Sequence, residues 1–283
     1  MAPHIPLEVI TEILAKLPVK SLSKFRVVCK SWCSLISTKQ FVTKHLSSSD
    51  SSNPKRIIQL STDISDADFL TFYSVQDSKL VQESSPIKFQ IENPNYNQYS
   101  GALSSFYIMG YCDGLVCVKA YTSYNSHIFL WNPSTRDSKL LPYRPGVANN
   151  SARIFCCWGF GYDYSSDDYK VLMVFPPEDH EDSSRKSMLY TLRTNSWRSI
   201  QDFPLDTSCR VAGDWSATLV NGALHWMARQ GSNGSWSIIS LDLTTETYME
   251  VPQPDFCATC VESNGIGVSS TGCLCLNVNN SVA

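Results

Sequence analysis

Ile5-Pro6-Leu7-Glu8-Val9-Ile10-Thr11-Glu12-Ile13-Leu14-Ala15-Lys16-Leu17-Pro18 decides how the front of this chain folds. A proline just ahead of an apolar-periodic segment marks a helix start, because the N–H it lacks would be an orphan there anyway. Val9, Ile10, Ile13, Leu14 and Leu17 recur at helical spacing, with Glu8, Glu12 and Lys16 on the other side. Pro18 is expected to end this helix. Ser21 or Ser23 can cap a second, in which Leu22, Phe25 and Val28 share a face. Ser31 can open a third short turn holding Trp32, Leu35 and Ile36, and Thr38 a last one with Phe41, Val42 and His45. Such short helices carry more apolar positions than they can hide among themselves, so some should face a partner.

Beyond this headpiece, Ser47-Ser48-Ser49-Asp50-Ser51-Ser52-Asn53-Pro54 is polar and aperiodic and reads as a linker. After it the helical period gives way to short β-branched and aromatic runs: Arg56-Ile57-Ile58-Gln59-Leu60, Phe69-Leu70-Thr71-Phe72-Tyr73, Gly114-Leu115-Val116-Cys117-Val118, His127-Ile128-Phe129-Leu130-Trp131 and Tyr169-Lys170-Val171-Leu172-Met173-Val174. Clusters of Gly, Asn, Asp and Pro separate them, which is an all-β pattern. Asp113-Gly114-Leu115-Val116 is echoed by Asn221-Gly222-Ala223-Leu224 and by Thr271-Gly272-Cys273-Leu274. The glycines lie 108 and 50 residues apart, which fits four-strand blades repeating at about fifty residues, the kelch-like β-propeller signature.

Two resemblances follow. Ile5-Pro6, Ile13-Leu14, Leu17-Pro18, Val19-Lys20-Ser21-Leu22, Phe25-Arg26-Val27-Val28-Cys29-Lys30-Ser31-Trp32 and Leu35-Ile36 together resemble an F-box. That resemblance implies docking on the adaptor subunit of a cullin–RING (SCF-type) ubiquitin ligase. Cys112-Asp113-Gly114-Leu115-Val116-Cys117, Leu130-Trp131-Asn132-Pro133-Ser134-Thr135-Arg136, Gly159-Phe160-Gly161-Tyr162-Asp163, Asp168-Tyr169-Lys170-Val171, Asn195-Ser196-Trp197-Arg198 and Asn221-Gly222-Ala223-Leu224-His225-Trp226 resemble the F-box-associated, kelch-like domain of plant F-box proteins. The expected organisation is an all-α F-box domain at residues 1–46, a linker at 47–54 and an all-β propeller at 55–283. The repeat at Gly272 opens a blade that the sequence does not finish, so a C-terminally shortened propeller with an open strand edge is expected.

Composition narrows the function. The 283 residues are 43% hydrophobic and 11% aromatic, enough for a small domain and a larger one. No apolar run approaches the roughly eighteen residues a membrane span needs, and Met1-Ala2-Pro3-His4 lacks the basic n-region of a signal peptide. A cytoplasmic or nuclear protein with no membrane partner is expected. The eleven cysteines are odd in number and sit mostly in apolar runs, so reduced thiols serving as small core hydrophobes are expected. Residues 1–46 hold seven Lys/Arg against Glu8 and Glu12, while the remainder holds 16 against 24 acidic residues. The basic residues of the headpiece are interleaved with large apolar ones, which favours an acidic protein partner or a solvated face over nucleic acid.

Little points to catalysis. Cys257-x-x-Cys260 with Cys273-x-Cys275 is the one plausible metal set, but its second pair lacks a two-residue spacer and sits in an apolar strand. Buried free thiols, no metal and no cofactor are expected there. His4, His45, His127, His180 and His225 show no ligand spacing, and His225 beside Trp226 reads as a hydrogen-bonded blade residue. Gly159-x-Gly161 lacks the third glycine of a dinucleotide loop and reads as a turn. Asp167-Asp168 and Glu178-Asp179-His180-Glu181-Asp182 read as solvated loops, the alternative being an acidic rim that meets a basic substrate.

The sequence therefore points to a non-catalytic substrate-recognition subunit of an SCF-type ligase. The resemblance assigns adaptor contact to Ile5, Pro6, Ile13, Leu14, Leu17, Pro18, Leu22, Phe25 and Trp32, with Trp32 equally placed to be internal core. Cullin and the RING protein follow through the adaptor, and the propeller meets a protein target through residues the sequence does not identify. The alternative is an adaptor-binding competitor that delivers no substrate. A propeller enzyme or a glycan-binding module finds no supporting motif.

Overall fold

A computed structural model of the chain describes residues 5–48, 56–63, 66–76, 79–82, 87–88, 103–122, 126–133, 135, 137–143, 157–175, 184–205, 210–211, 215–229, 236–252, 264–269 and 271–278. The chain divides into two compact units, Met1–Gln90 with Asn132–Asp137 and Ile91–Trp131 with Ser138–Ala283.

The first unit opens with four helices, α1 (Leu7–Ala15), α2 (Val19–Phe25), α3 (Lys30–Ile36) and α4 (Lys39–Ser48). Pro6 is the N-cap of α1 as its position predicts. Pro18 differs from expectation: α1 already ends at Ala15, and Pro18 caps α2 with φ −59° and ψ 146°. A ring-locked φ suits the residue that launches a helix, so neither Ser21 nor Ser23 is needed as a cap; Ser23 instead donates its hydroxyl to Val19 O inside the helix. Cys29, not Ser31, caps α3. Thr38 accepts the Phe41 N–H at 3.2 Å and holds the start of α4 as expected. α4 continues to Ser48, beyond the start of the expected linker.

This unit also holds a sheet of β1 (Arg56–Asp63), β2 (Asp66–Gln76), β3 (Lys79–Gln82) and β4 (Ile87–Lys88), with β1 on one edge of β2 and β3 and β4 on the other.

In the second unit β5 (Leu103–Cys112), β6 (Leu115–Thr122), β7 (Ser126–Trp131) and β8 (Ser138–Leu140) form an antiparallel meander. So do β9 (Cys157–Asp163), β10 (Asp168–Phe175), β11 (Lys186–Thr191) and β12 (Ser196–Ser199). The third sheet runs β13 (Arg210–Val211), β15 (Ala223–Arg229), β16 (Trp236–Asp242), β17 (Tyr248–Val251), with β14 (Thr218–Val220) also pairing β15. β18 (Asn264–Val268) and β19 (Leu274–Val278) make a hairpin. The repeated Asp-Gly and Asn-Gly are the tight turns between paired strands. Asp113 and Gly114 have φ 47° and 80°, and Asn221 and Gly222 have φ 49° and 77°. Two successive left-handed residues match the twist of a two-residue hairpin.

β10 shows why these strands read as continuous apolar runs. Val171 and Met173 face Met109, Cys117 and Leu130 of the first meander, while Leu172 and Val174 face Leu224, Trp226 and Ile239 of the third sheet. A strand covered on both faces has no polar side to alternate. Indole donors seal the layers: Trp226 Nε1 donates to Trp158 O at 3.1 Å, and Trp197 Nε1 to Pro142 O at 2.7 Å.

Gly159-x-Gly161 is not a turn but part of β9. A Cβ on Gly159 would stand 2.6 Å from Leu224 Cδ1 and 2.9 Å from Ala217 Cβ, so the pair marks the close approach of two sheets. Ala217 has no rotamer with which to yield. Gly159→Ala is therefore expected to destabilise the unit by about 1–3 kcal/mol through overpacking, read as a fall in the thermal unfolding midpoint of the full chain.

Cys112, Cys117 and Cys157 are buried, as small core hydrophobes should be. Burial raises the thiol of Cys112 to about 12. Cys273 and Cys275 depart from the expectation and are exposed. β19 alternates half-buried Leu274 and Leu276 with exposed Cys275, the pattern of a sheet with one solvated face. Cys257 and Cys260 lie outside the described residues, as do Glu178 to Asp182.

Candidate functional site

α1 carries two apolar stripes. Ile10, Leu14 and Leu17 turn inward onto Leu22, Ile36 and Phe41, and with Phe25, Trp32 and Leu35 they form the core of the helical module. Val9 and Ile13, four residues apart on the other side of α1, remain open, as does Ile5 ahead of the N-cap: Ile5 and Ile13 are each 54% exposed and Val9 45%. α4 repeats the division. Phe41 and His45 stack at 6.2 Å on the inner side, with His45 Nδ1 2.8 Å from Ala15 O, while Val42 and Leu46 stay exposed. Lys44 pairs with Glu12 and ties α4 to α1.

The nine residues nominated from sequence thus divide. Ile5, Pro6, Ile13 and Pro18 lie on the surface. Leu17, Phe25 and Trp32 are half-buried against the core, with Phe25 and Trp32 edge to face at 5.6 Å. Leu14 and Leu22 are 2% and 5% exposed and hold the module together from inside. Leu7, Val9, Val27, Val28, Val42 and Leu46 are exposed apolar residues that the sequence reading did not nominate. Separating the i, i+4 pairs 9/13 and 42/46 from 10/14 was the available signal.

In the second unit, hydrogen bonds gather the tight turns of the sheets. The Lys170 ammonium, buried on β10, donates to Asp163 Oδ2 at 2.9 Å, Leu243 O at 2.5 Å and Glu246 Oε1 at 2.9 Å. Arg198 also pairs with Glu246, and Thr244 Oγ1 donates to Asp163 Oδ1 at 2.9 Å. Burial pushes the Asp163 carboxyl upward, but donors from Ser166, Lys170, Thr244 and the Ser165 N–H outweigh it and hold it well below the usual carboxylate range. Burial likewise opposes ionisation of Glu246, and Arg198 and Lys170 together bring it below its ordinary value.

Asp168 departs from the solvated loop expected of it. It is buried, and its two oxygens accept the Arg193 N–H at 3.0 and 3.1 Å, capping the neighbouring turn. Asp167 is exposed as expected and accepts the Tyr162 hydroxyl. His225 lies in β15 with Nδ1 3.3 Å from Thr218 O, the hydrogen-bonded strand residue that was expected.

A helical module with exposed apolar residues, followed by four-stranded antiparallel meanders of the blade type, defines the class as a helical headpiece joined to a β-propeller-like domain. Residues 3–44 match the F-box domain, and residues 63–278 match the F-box associated beta propeller domain. The chain belongs to the F-box proteins that bear this propeller. It is 31% identical to F-box/kelch-repeat protein At3g23880 of Arabidopsis thaliana, over 99% of this chain and 75% of that one. It is 28% identical to F-box protein At3g08750 and to F-box protein At3g07870 of the same plant, covering 89% and 96% of this chain and 60% and 65% of theirs. F-box proteins serve in general as non-catalytic, substrate-recognising subunits of SCF ligases that bind an adaptor subunit. No helix among the described residues is long and apolar enough to cross a membrane.

Proposed function

We propose that this chain is a substrate receptor of an SCF-type ubiquitin ligase working in the cytoplasm or nucleus. The observation that carries the reading is the open side of α1 at Val9 and Ile13, with exposed Ile5 just ahead of the helix, while the opposite side already fills the module's core. Burying three such side chains at about 1.5–3 kcal/mol each supports a stable interface. Pro6 and Pro18 flank this surface at the N-caps of α1 and α2, and Leu17, Phe25 and Trp32 support it from the half-buried layer. Leu14 and Leu22 act through the fold.

The sheet-bearing part then holds a protein target, and the chain contributes position and effective concentration while cullin and the RING protein supply the transfer machinery. Fold alone does not fix the target. Reconstitution with adaptor, cullin, RING protein and ubiquitin tests the proposal. The chain is expected to co-purify with the adaptor and to direct ubiquitin onto a bound protein. Adaptor capture with no transfer to any bound protein would identify a competitor instead.

A further inference from the structure

Tyr162 leaves β9 on the side of Trp158 and Phe160, toward the β5–β8 sheet, Tyr164 follows in the turn after β9, and Tyr169 stands on the matching side of β10 beside Val171. The three rings meet edge to face: Tyr162 lies 4.8 Å from Tyr164 and 4.8 Å from Tyr169, at 77° and 64°. Phe160 stacks on Tyr169 at 5.8 Å and fixes the group to the core. Tyr164 is 69% exposed, so its ring offers aromatic surface to solvent rather than filling a layer.

From the facing sheet the 113–114 turn brings Asp113 to the same place. Cys112, one residue before Asp113, lies in the same core cluster as Phe160, with Tyr162 and Tyr169 packed against it, which sets the two turns side by side. No basic side chain among the described residues pairs with Asp113, and burial raises its carboxyl. The Tyr164 and Tyr169 hydroxyls are raised by burial first and by the Asp113 charge next. The other carboxylates of these turns have charged or backbone partners: Asp163 and Glu246 pair with Lys170, Asp168 accepts the Arg193 N–H, and Asp167 lies 3.8 Å from the Arg193 guanidinium while accepting the Tyr162 hydroxyl. Asp113 has the Cys112 thiol as its hydrogen-bond partner and no cation among the described residues.

An exposed aromatic cluster beside an uncompensated carboxylate is suited to an ammonium or guanidinium, through the ring quadrupole and the charge together. We propose that Tyr162, Tyr164, Tyr169 and Asp113 form the contact surface for a lysine- or arginine-bearing segment of the protein this chain recruits. Its biological purpose rests on the receptor reading; its measurement does not. The remainder of the chain beyond residue 46, with 24 acidic against 16 basic residues, steers the same kind of partner at longer range.

The test is selection of a random peptide library on the full chain, followed by titration of one selected synthetic peptide. The selected peptides are expected to be enriched in Lys or Arg. Tyr164→Ala and Asp113→Asn are each expected to weaken the peptide by about tenfold, while Tyr164→Phe retains it. Asparagine tolerates the left-handed φ of 47° at position 113, and Tyr164 is exposed, so neither change threatens the fold. Selection without a basic bias, failure to retain any peptide, or unchanged affinity in both variants overturns the proposal. Adaptor capture is scored on the same samples. Its loss in the wild-type chain would defeat the receptor reading and leave the peptide result standing.

Discussion

A chain carrying Val9→Asp and Ile13→Asp together is expected to lose adaptor capture completely while its helices stay folded. Both side chains already meet solvent, and surface changes of this kind shift stability by about 0.5 kcal/mol or less. At an interface each carboxylate would lie unpaired against apolar surface, costing about 2 kcal/mol or more apiece. The pair also forfeits the burial of Val and Ile, so about a thousandfold or greater loss of affinity follows. Leu14→Asp is expected to fail by a different route. It places a charge at a site 2% exposed, among Leu22, Ile36 and Phe41, and should unfold the module. Amide hydrogen exchange over α1 to α4 of the full chain separates the two: protection persists in the double variant and collapses in Leu14→Asp. Capture retained by the double variant would remove Val9 and Ile13 from the docking surface.

That contrast also marks what the sequence could and could not say. The existence of α1 was legible because Pro6 and the apolar period agree, and β6, β7 and β10 because their apolar runs are bounded by turn residues. Asp113-Gly114 and Asn221-Gly222 announced their hairpins because few other dipeptides accept two left-handed residues in succession. The division of α1 into a core stripe and an open one was harder. Val9 and Ile10 are adjacent and equally apolar, and only the placement of α2 to α4 decides which of them is covered. Gly159 and Gly161 misled for a related reason: a glycine that permits a turn and one that permits close sheet packing look alike until Leu224 and Ala217 are in place. The Lys170 cluster joins residues 76 apart in sequence, and no local spacing encodes such a meeting. An acidic rim at Asp167-Asp168 was a local reading of two adjacent carboxylates, but Asp168 turns inward onto the Arg193 N–H, and only the packing of β10 against its neighbours decides which of the pair meets solvent.

Lys170→Met is expected to produce the largest stability loss in the second unit. Its three donors are all used, by Asp163, Glu246 and Leu243 O, so methionine would leave Asp163 buried with only hydroxyl and backbone donors. Removing one partner of a buried ion pair costs about 3–5 kcal/mol, which for a unit of this size lowers the unfolding midpoint by about 10 °C. Adding Asp163→Leu should restore part of the loss, because an apolar pair of similar volume can replace a buried ionic one. The pH dependence carries the sign of depressed carboxylates. Above about pH 5 the folded and unfolded chains both hold Asp163 and Glu246 ionised, and the full stabilisation is present. As pH falls past about 4 the unfolded chain takes up protons first, and the contribution drains away toward the lower native values. The gap in unfolding midpoint between wild type and Lys170→Met should therefore be widest near neutrality and close progressively in acid. A gap that stayed constant from pH 7 to pH 3 would mean that the lysine contributes through its packed methylenes and not through its charge. Equal midpoints at pH 7 would mean that the apolar layer of Leu172, Leu224 and Leu241 holds these two sheets together without it.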